Sequence, residues 1–490
     1  MRQGIALVLG PALFLTVLLL PLPQGMTPEG LRVAAVAVLM AVWWISGAIP
    51  VPATALLPIA LYPLLGVMSG SEVTQSYAHH LIYLFLGGFL IAVTMEKWNL
   101  HHRIALHTIR LAGLTPRRMV LGFMVATAFL SMWISNTAST MLMVTIGIAV
   151  LHEMSDTSCH GKDAISLPPG QVHFGTVLML AIGYAASIGG IATLIGTPPN
   201  AILAGVVEKT YGYQLGFLEW MSFGLPLSIV MLVLAWIYLT RFVYRNDVSS
   251  LPGGWRFIRQ QIAELGPMSR EEKYVAAVLS GVALLWILRG LIDHEAVRLV
   301  KDSTIAIAGA LLLFLIPVNL RQREFLLDWK TAVTIPWDII ILFGGGFALA
   351  RGFSETGLTS WIAAQLAVLE GVAIVLIIAA VALLVIFLTE ITSNTATASL
   401  LLPVMGALAT AVDVHPFGLM AAAVIAASFA FMLPVATPPN AIIFGSRYIT
   451  IPQMVRAGFW LNLAGVVLIT GFVYFVLPVV WGLDLATVTR

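Results

Sequence analysis

The chain has very little charge and almost no cysteine for its length. Of its 490 residues only 10% are Asp, Glu, Lys or Arg, whereas 59% are hydrophobic and the mean hydropathy is +0.97. A soluble domain needs more polar side chains to cover its surface, so this composition excludes a soluble protein and indicates a polytopic membrane protein. The single cysteine, Cys159, excludes a disulfide framework.

The polar residues that are present do not form the patterns of several other membrane proteins. The ten histidines lie at segment ends or in loops, which argues against a haem-bearing respiratory subunit. No acid–base or metal cluster is visible, so we expect neither an enzyme nor a cofactor. The scattered apolar spans supply no continuous polar pore, which argues against a channel. The net charge of +2 gives no reason to expect a nucleic-acid partner.

Apolar runs long enough to cross about 30 Å of hydrocarbon predict an all-α protein with about eleven transmembrane helices. They fall near 5–22, 31–49, 51–68, 80–96, 176–206, 216–242, 273–291, 302–319, 335–352, 417–445 and 455–482. The first run has no convincing small-residue cleavage site after it, so we expect a first span and not a removed signal. The predicted location is a multi-pass position in the plasma membrane of a bacterium, surrounded by lipid.

Two short polar sequence motifs, which we call words, each occur twice. Ser135-Asn136-Thr137 recurs as Ser393-Asn394-Thr395, and Thr197-Pro198-Pro199-Asn200 recurs as Thr437-Pro438-Pro439-Asn440. All four interrupt apolar stretches. Non-helical backbone at membrane depth is tolerated only where it is buried in protein or lines a cavity. We therefore predict two re-entrant hairpins, near 118–152 and 376–412, with a Ser-Asn-Thr tip on each. Paired interruptions in two halves indicate the binding site of a secondary transporter.

The two halves align beyond these words, and one pair of aligned segments has opposite charge. At a constant offset of 258, Gly87-Gly88-Phe89 falls on Gly345-Gly346-Phe347. Residues 97–118 carry five basic residues and no acid, whereas the aligned residues 355–376 carry two acids and no base. Because basic loops stay in the cytoplasm, the first stretch is predicted inside and its counterpart outside, which is the pattern of an inverted-topology repeat. The basic loop 241–273 joins the halves and is also predicted inside.

The tips carry the side chains that a sodium ion prefers. Ser131 lies four residues before Ser135 and Thr389 four before Ser393, so one helical turn brings each hydroxyl near its tip. Sodium is a hard cation that takes hydroxyl, amide and carbonyl oxygens. In the second word, two prolines remove two N–H donors and expose the preceding carbonyls, those of Gly196 and Ala436. Helix N-termini at such breaks can face an anion.

Two acids lie within or beside apolar runs, Glu96 and Glu390. An intramembrane acid is a functional hypothesis by default. The residue that aligns with Glu390 is the apolar Met132, so an obligatory role in both halves is not expected. We expect Glu390 to have a structural or supporting role, with proton coupling as the alternative.

These words, together with Trp43–Pro50 and Thr54–Pro58, resemble the divalent anion:sodium symporter family over nearly the whole chain. The resemblance implies a homodimer and an elevator mechanism, in which a transport region slides against a scaffold. The implied boundaries are 1–117 and 246–375 for scaffold helices, the latter with the cytoplasmic linker, and 118–245 and 376–490 for the transport regions. Many members carry Thr-Glu where Ser46-Gly47 stand here, so the subfamily is open.

The resemblance also implies the ligands. The first sodium site would use Ser131, Ser135, Asn136 and Gly196, and the second would use Thr389, Asn394 and Ala436. Substrate carboxylates would meet Asn136, Thr137, Asn394, Thr395, Thr437 and Pro438. Sodium-coupled symport of a C4-dicarboxylate such as succinate, malate or fumarate is the expected activity. A sodium-independent dicarboxylate exchanger and a sodium/sulfate symporter remain the alternatives.

Overall fold

The computed structural model describes residues 2–113, 115–156, 169–243, 254–292, 294, 297 and 299–485. Cys159 and most of the polar insert around it lie outside the described residues, as does part of the 241–273 loop. Everything below concerns the described ranges.

The first half consists of helices joined by short turns. They are α1 (Arg2–Leu19), α2 (Pro28–Ser46), α3 (Val51–Thr54), α4 (Leu57–Leu64), α5 (Gly70–Thr74), α6 (His80–Lys97), α7 (Leu100–Ala112), α8 (Pro116–Ser131), α9 (Asn136–Asp156), α10 (Pro169–Gly190), α11 (Pro198–Tyr211) and α12 (Phe217–Ile237). A 3₁₀ turn, Gln75–Ala78, precedes α6, and a π-helical segment, Tyr238–Val243, extends α12.

The second half begins with two connecting helices and then repeats this order. Its helices, the two connecting ones first, are α13 (Gly254–Leu265), α14 (Arg270–Leu291), α15 (Asp302–Leu315), α16 (Trp329–Ala332), α17 (Trp337–Glu355), α18 (Leu358–Leu366), α19 (Ile374–Thr389), α20 (Asn394–Ala411), α21 (Pro416–Ala427), α22 (Pro438–Gly445), α23 (Ile451–Gly471) and α24 (Leu477–Trp481). A 3₁₀ turn (Ala367–Leu369) and a π-helical segment (Phe472–Val476) complete it. A small antiparallel hairpin of β1 (Pro317–Asn319) and β2 (Glu324–Phe325) follows α15.

Both predicted hairpins are present. In the first, α8 and α9 pack against each other and are joined by residues 132–135; in the second, α19 and α20 are joined by residues 390–393. The chain also bends sharply just before α19, where the segments Leu358–Leu369 and Ile374–Thr389 meet at an angle of 115°. Each Ser-Asn-Thr word therefore stands where one hairpin helix ends and the next begins.

Both Pro-Pro words begin a helix. Thr197 and Thr437 have extended backbones, with φ/ψ near −144°/140° and −141°/151°, and the prolines occupy the first helical turn, where their missing N–H groups are not needed. The apolar helix before each word ends at Gly190 in the first half and at Ala427 in the second, seven and ten residues before the threonine of the word. Two broken helices result, at matching places in the two halves.

The all-α polytopic prediction is confirmed. Eight described helices are long and apolar enough to span a membrane, or nine if the bent pair counts as one span: Pro28–Ser46, Gly70–Lys97, His173–Gly190, Phe217–Val243, Arg270–Leu291, Trp337–Glu355, Asn394–Ala411 and Ile451–Trp481. Four shorter apolar helices add to them: Gly4–Leu19, Val51–Leu64, Asp302–Leu315 and Pro416–Ala427. The long-helix count is lower than eleven because several predicted spans are short or broken.

The end of the helix bundle that carries Lys97 and Arg103, called the basic end, is held together by ion pairs. Arg103 in α7 contacts the carboxylate of Glu272 in α14 at 2.7 and 3.1 Å. Lys97, at the end of α6, contacts Asp328, which precedes α16, at 2.6 Å. The Lys97 contact, aided by the backbone N–H of Thr331, holds the pKa of Asp328 below its usual range. These pairs fix the amphipathic helix α7 and the β-hairpin segment against the helix ends.

Candidate functional site

The two hairpin tips and the two broken helices meet around one cavity of about 840 Å³. Its polar lining comes from both halves: Ser135, Asn136, Thr137, Gly196, Thr197, Thr392, Ser393, Asn394, Thr395, Ala436 and Thr437. The opposite wall comes from α2, α6 and α17 and includes Trp44, Phe89 and Leu342. These words lie up to about 300 residues apart in the sequence, and the fold brings them together around the cavity.

An oxygen cluster lies behind the first tip. The Oγ of Ser131 is 2.8 Å from the carbonyl oxygen of Ala186 in α10. The end of the Asn136 amide that faces this cluster lies 2.5 Å from the Ser131 Oγ, 3.2 Å from the carbonyl oxygen of Gly196 and 3.3 Å from that of Ala186. Ser131 is fully buried, so no bulk water competes for these groups.

An equivalent cluster lies behind the second tip. The Oγ1 of Thr389 is 2.8 Å from the Oδ1 of Asn394 and 2.9 Å from the carbonyl oxygen of Ala427. Thr389 is also fully buried. Ala436, which aligns with Gly196, lies buried at the wall of the same cavity. The second half therefore repeats the hydroxyl–amide–carbonyl arrangement of the first.

The second cluster contains more acceptors than donors, and so does the first when the Asn136 oxygen faces it. A hydroxyl has one hydrogen, so the Ser131 Oγ can donate to Asn136 or to Ala186 but not to both. With its nitrogen facing the cluster, the Asn136 amide donates to the two carbonyls; with its oxygen there, four oxygens converge. A cation compensates such a cluster, since hard ions take oxygen ligands of this kind. Chemically, each cluster can therefore hold a sodium ion.

Two asparagines make equivalent hydrogen bonds across the two helix breaks. Asn200 donates to the carbonyl oxygens of Gly190 (3.2 Å) and Thr193 (2.8 Å), ten and seven residues earlier. Asn440 donates to the carbonyl oxygens of Ala430 (2.8 Å) and Leu433 (3.0 Å), again ten and seven residues earlier. These bonds satisfy carbonyls that lost their helical partners at the break.

A glycine is required where the first break approaches the tip. A Cβ on Gly190 would lie 2.6 Å from the Oδ1 of Asn136 and 3.1 Å from the carbonyl oxygen of Gly196. The absence of a side chain at Gly190 therefore lets the amide reach the carbonyls of the break.

The remaining predicted site residues take supporting or cavity-facing positions. Ser135 accepts a hydrogen bond at 3.2 Å from the backbone N–H of Ala138, so its hydroxyl caps α9. Thr437 accepts one at 3.2 Å from the N–H of Asn440 and caps α22. Thr137, Thr395 and Pro438 lie at the cavity wall, in the first turns of α9, α20 and α22. A role of Ser135 as an ion ligand stays a prediction.

The cavity has no basic side chain among its described lining residues. Its ionisable lining residues are the acids Glu96 and Asp338, at the ends of α6 and α17. Positive potential can come from the N-terminal ends of α9 and α20, which begin at the cavity with Asn136 and Asn394. An anion placed there would need further neutralisation in a low-dielectric site, which bound cations can give.

Glu390 is a supporting residue and does not line the cavity. Its carboxylate accepts hydrogen bonds from the backbone N–H groups of Phe431 (2.8 Å), Met432 (2.9 Å) and Leu433 (3.0 Å). Its counterpart Met132 accepts a bond through its carbonyl oxygen, from Thr193, at 2.7 Å. Both halves thus tie the tip to the break, the first through a hydroxyl and the second through a carboxylate.

Sequence reasoning missed two parts of this site, a pair of backbone carbonyls and a pair of asparagine side chains. The carbonyls of Ala186 and Ala427 carry no side-chain signal, so only the fold could place them. Asn200 and Asn440 do carry one, because both end the repeated Thr-Pro-Pro-Asn word, yet they received no role.

Comparisons with known proteins identify the family of the chain. A family model described as the sodium:sulfate symporter transmembrane region matches residues 2–482. The sodium-dependent dicarboxylate transporter SdcS of Staphylococcus saprophyticus is 46% identical over 98% of this chain and 93% of its own. SdcS of Staphylococcus aureus strain USA300 is 47% identical over 99% and 93%.

Solved structures share the fold. MtrF of Neisseria gonorrhoeae, from a class of antimetabolite efflux pumps, superposes with a TM-score of 0.59 at 12% identity, covering 96% of this chain and 95% of MtrF. The YdaH transporter of Alcanivorax borkumensis gives 0.55 at 12% identity, covering 84% and 88%. The chain is a multi-pass plasma-membrane transporter and not an enzyme, because its full-length relatives and its family are transporters.

Proposed function

The chain belongs to the sodium:sulfate symporter family, the divalent anion:sodium symporters that its motifs resemble, and we propose that it is a sodium-coupled symporter of a C4-dicarboxylate such as succinate, malate or fumarate. One observation carries the proposal: two buried clusters of hydroxyl, amide and carbonyl oxygens flank a cavity with no basic lining residue among those described. The name of the SdcS relatives, sodium-dependent dicarboxylate transporter, supports it.

The two sodium ions would be held by the predicted ligand sets, the first by Ser131, Ser135, Asn136 and Gly196, and the second by Thr389, Asn394 and Ala436. To these we add the carbonyls of Ala186 and Ala427, which lie within 2.9 Å of the Ser131 and Thr389 hydroxyls. The substrate carboxylates would contact Asn136, Thr137, Asn394, Thr395, Thr437 and Pro438.

Coupling follows from the electrostatics of this arrangement. A dianion without a nearby arginine or lysine is poorly neutralised in a low-dielectric cavity. Sodium ions behind both tips would provide that charge, and they would orient Asn136 and Asn394, which face ion and substrate at once. Substrate affinity should therefore depend on sodium.

We also propose an elevator movement of a homodimer. The tips and broken helices of 118–245 and 376–490 form one wall of the cavity, and helices of 1–117 and 246–375 form the other. The cavity reaches Glu96 and Thr334, next to the basic end that the charge pattern assigns to the cytoplasm. The described state would then be open to the inside, and sliding of the tip wall would expose the same site outside.

Uptake of labelled succinate into proteoliposomes tests the proposal. We expect uptake that requires a sodium gradient and rises cooperatively with sodium. Equal uptake in potassium or choline buffer would refute symport, and counterflow without sodium would identify the exchanger. The family description favours sulfate as the second candidate substrate, so sulfate, citrate and oxoglutarate serve as competitors. Competition by sulfate but not by malate or fumarate would favour the sulfate symporter.

A further inference from the structure

Two adjacent histidines and a glutamate converge at the end of the molecule opposite the basic end. His79 precedes α6, His80 is its first residue, and Glu208 lies near the end of α11. One ligand atom from each of these side chains lies within 4.8 Å of the others. The side chains are 14%, 27% and 15% exposed, so a small ion could reach them from solvent.

The two oxygens of the Glu208 carboxylate have different surroundings. Its Oε2 faces both imidazoles, 2.5 Å from the His80 Nε2 and 3.7 Å from the His79 Nε2. Its Oε1 contacts the Nζ of Lys301 at 3.1 Å. Lys301 therefore neutralises one oxygen and leaves the other for a shared ligand.

The imidazoles are free to present both Nε2 atoms to one ion. The Nδ1 of His79 has a single contact, at 3.5 Å from the N–H of Leu81, which is the limit of a hydrogen bond. The Nδ1 of His80 is buried and has no hydrogen-bond partner among the described residues. Without a metal, the His80 Nε2–H donates to the Glu208 carboxylate at 2.5 Å. A metal bound at Nε2 would replace this contact, and the proton of each neutral ring would move to Nδ1, where no strong bond opposes it.

We propose that His79, His80 and Glu208 form a Zn²⁺ site that bridges α6 and α11 and blocks transport when occupied. Two imidazole nitrogens and a carboxylate oxygen are a zinc ligand set, with the fourth tetrahedral position left to water. Ligand atoms around tetrahedral Zn²⁺ lie about 3.3 Å apart, so small side-chain rotations suffice to close the set. Hard ions such as Ca²⁺ and Mg²⁺ prefer oxygen ligands and should bind poorly.

The position of the site explains the block. Glu208 lies near the end of α11, whose first turn lines the cavity beside the tips, whereas His80 begins α6, a helix of the opposite wall. This step rests on the proposed elevator movement, in which the two walls slide past each other. A metal held from both sides would keep them in the inward-open arrangement.

Binding is tested first, on purified full-length protein with Cys159→Ser so that the thiol takes no metal. Calorimetric titration with ZnCl₂ should give one site per chain, and His79→Ala and His80→Ala should each weaken it by about ten-fold or more. A double variant of the other adjacent pair, His101→Ala with His102→Ala, is the matched control and should bind as the parent does. Equal affinity in the His79 and His80 variants would overturn the site.

The block is tested in cells that express the same proteins. External ZnCl₂ should inhibit sodium-driven succinate uptake by the parent, EDTA should reverse the inhibition, and His80→Ala should transport in zinc. Zinc that binds without slowing uptake would overturn the block. Failure of all variants to take up succinate would count against the proposed function, while the calorimetric result would still decide the metal site.

Discussion

Asn462 donates its side-chain N–H to the carboxylate of Glu390 at 2.7 Å, in a fully buried contact between α23 and the second hairpin tip. With the three backbone N–H groups at 431–433, Glu390 accepts four hydrogen bonds. Glu390, for which a structural role was expected with proton coupling as the alternative, is thus placed to hold the tip against the broken helix.

Replacing the carboxylate should therefore loosen the tip. In Glu390→Gln the new amide N–H₂ would face donors, and leaving one buried group unsatisfied costs about 1–3 kcal/mol. We expect a lower unfolding temperature and slower transport, measured by thermal unfolding and by uptake. Glu355→Gln, which removes an exposed carboxylate that pairs with Arg351, is the control and should change little. If the Glu390→Gln protein were as stable as the parent but its transport no longer responded to a proton gradient, the result would instead support proton transfer by Glu390.

Removing either tip asparagine should abolish sodium-dependent uptake. Each Asn amide is proposed to contact ion and substrate together, and losing a hydrogen bond of the charged type costs about 1.5–3 kcal/mol. That corresponds to roughly ten- to hundred-fold weaker binding. Asn136→Ala and Asn394→Ala should remain folded by size-exclusion chromatography, and Asn319→Ala, in the β-hairpin, should transport normally. Near-normal transport by both tip variants would contradict the site assignment.

Arg110 and Glu370 should report opposite sides of the membrane. Both are exposed, Arg110 on α7 and Glu370 after α18. With Cys159 replaced, a single cysteine at Arg110→Cys should be protected from an impermeant thiol reagent in intact cells, because basic segments stay inside. A cysteine at Glu370→Cys should react. Labelling of both from outside would refute the inverted topology.

Acidification should destabilise the protein through His101. Burial lowers the pKa of His101 to about 4 from its ordinary value of 6.5. Between these values the unfolded chain binds a proton that the native state does not, so stability falls as the pH drops from about 6.5 to about 4. The loss should be on the order of 3 kcal/mol. Unfolding temperatures across this range should fall less in His101→Leu; an unchanged slope would show that other groups dominate.

The two tips should move together. Spin labels at Phe129→Cys and Ile391→Cys, exposed positions near the first and second tips, should keep their separation with and without sodium and succinate. A label at Leu64→Cys, exposed at the end of α4, should change its distance to Phe129→Cys. In an elevator both tips hold one substrate, so Thr137 and Thr395 stay close while the opposite wall is fixed. Tips that separate while the cross-wall distance stays constant would indicate a rocking or gated mechanism instead.

The sequence by itself determined the features that depend on composition and local spacing. The low fraction of charged residues indicated a membrane protein, and the repeated polar words indicated the positions of both hairpin tips and both helix breaks. It also placed the Ser131 and Thr389 hydroxyls near their tips, because each lies one helical turn before a tip. The opposite charges of two aligned segments predict the inverted repeat.

Only the tertiary structure decided contacts between residues far apart in the chain. The carbonyls of Ala186 and Ala427 reach the hydroxyls from 55 and 38 residues away. Glu390 finds its partners 41–43 and 72 residues later, and Glu208 meets His80 across 128. Backbone carbonyls look alike in every sequence, and an isolated His or Glu does not indicate its neighbour. Helix packing alone places such groups within bonding distance, and this is what makes the oxygen clusters and the His79–His80–Glu208 group visible.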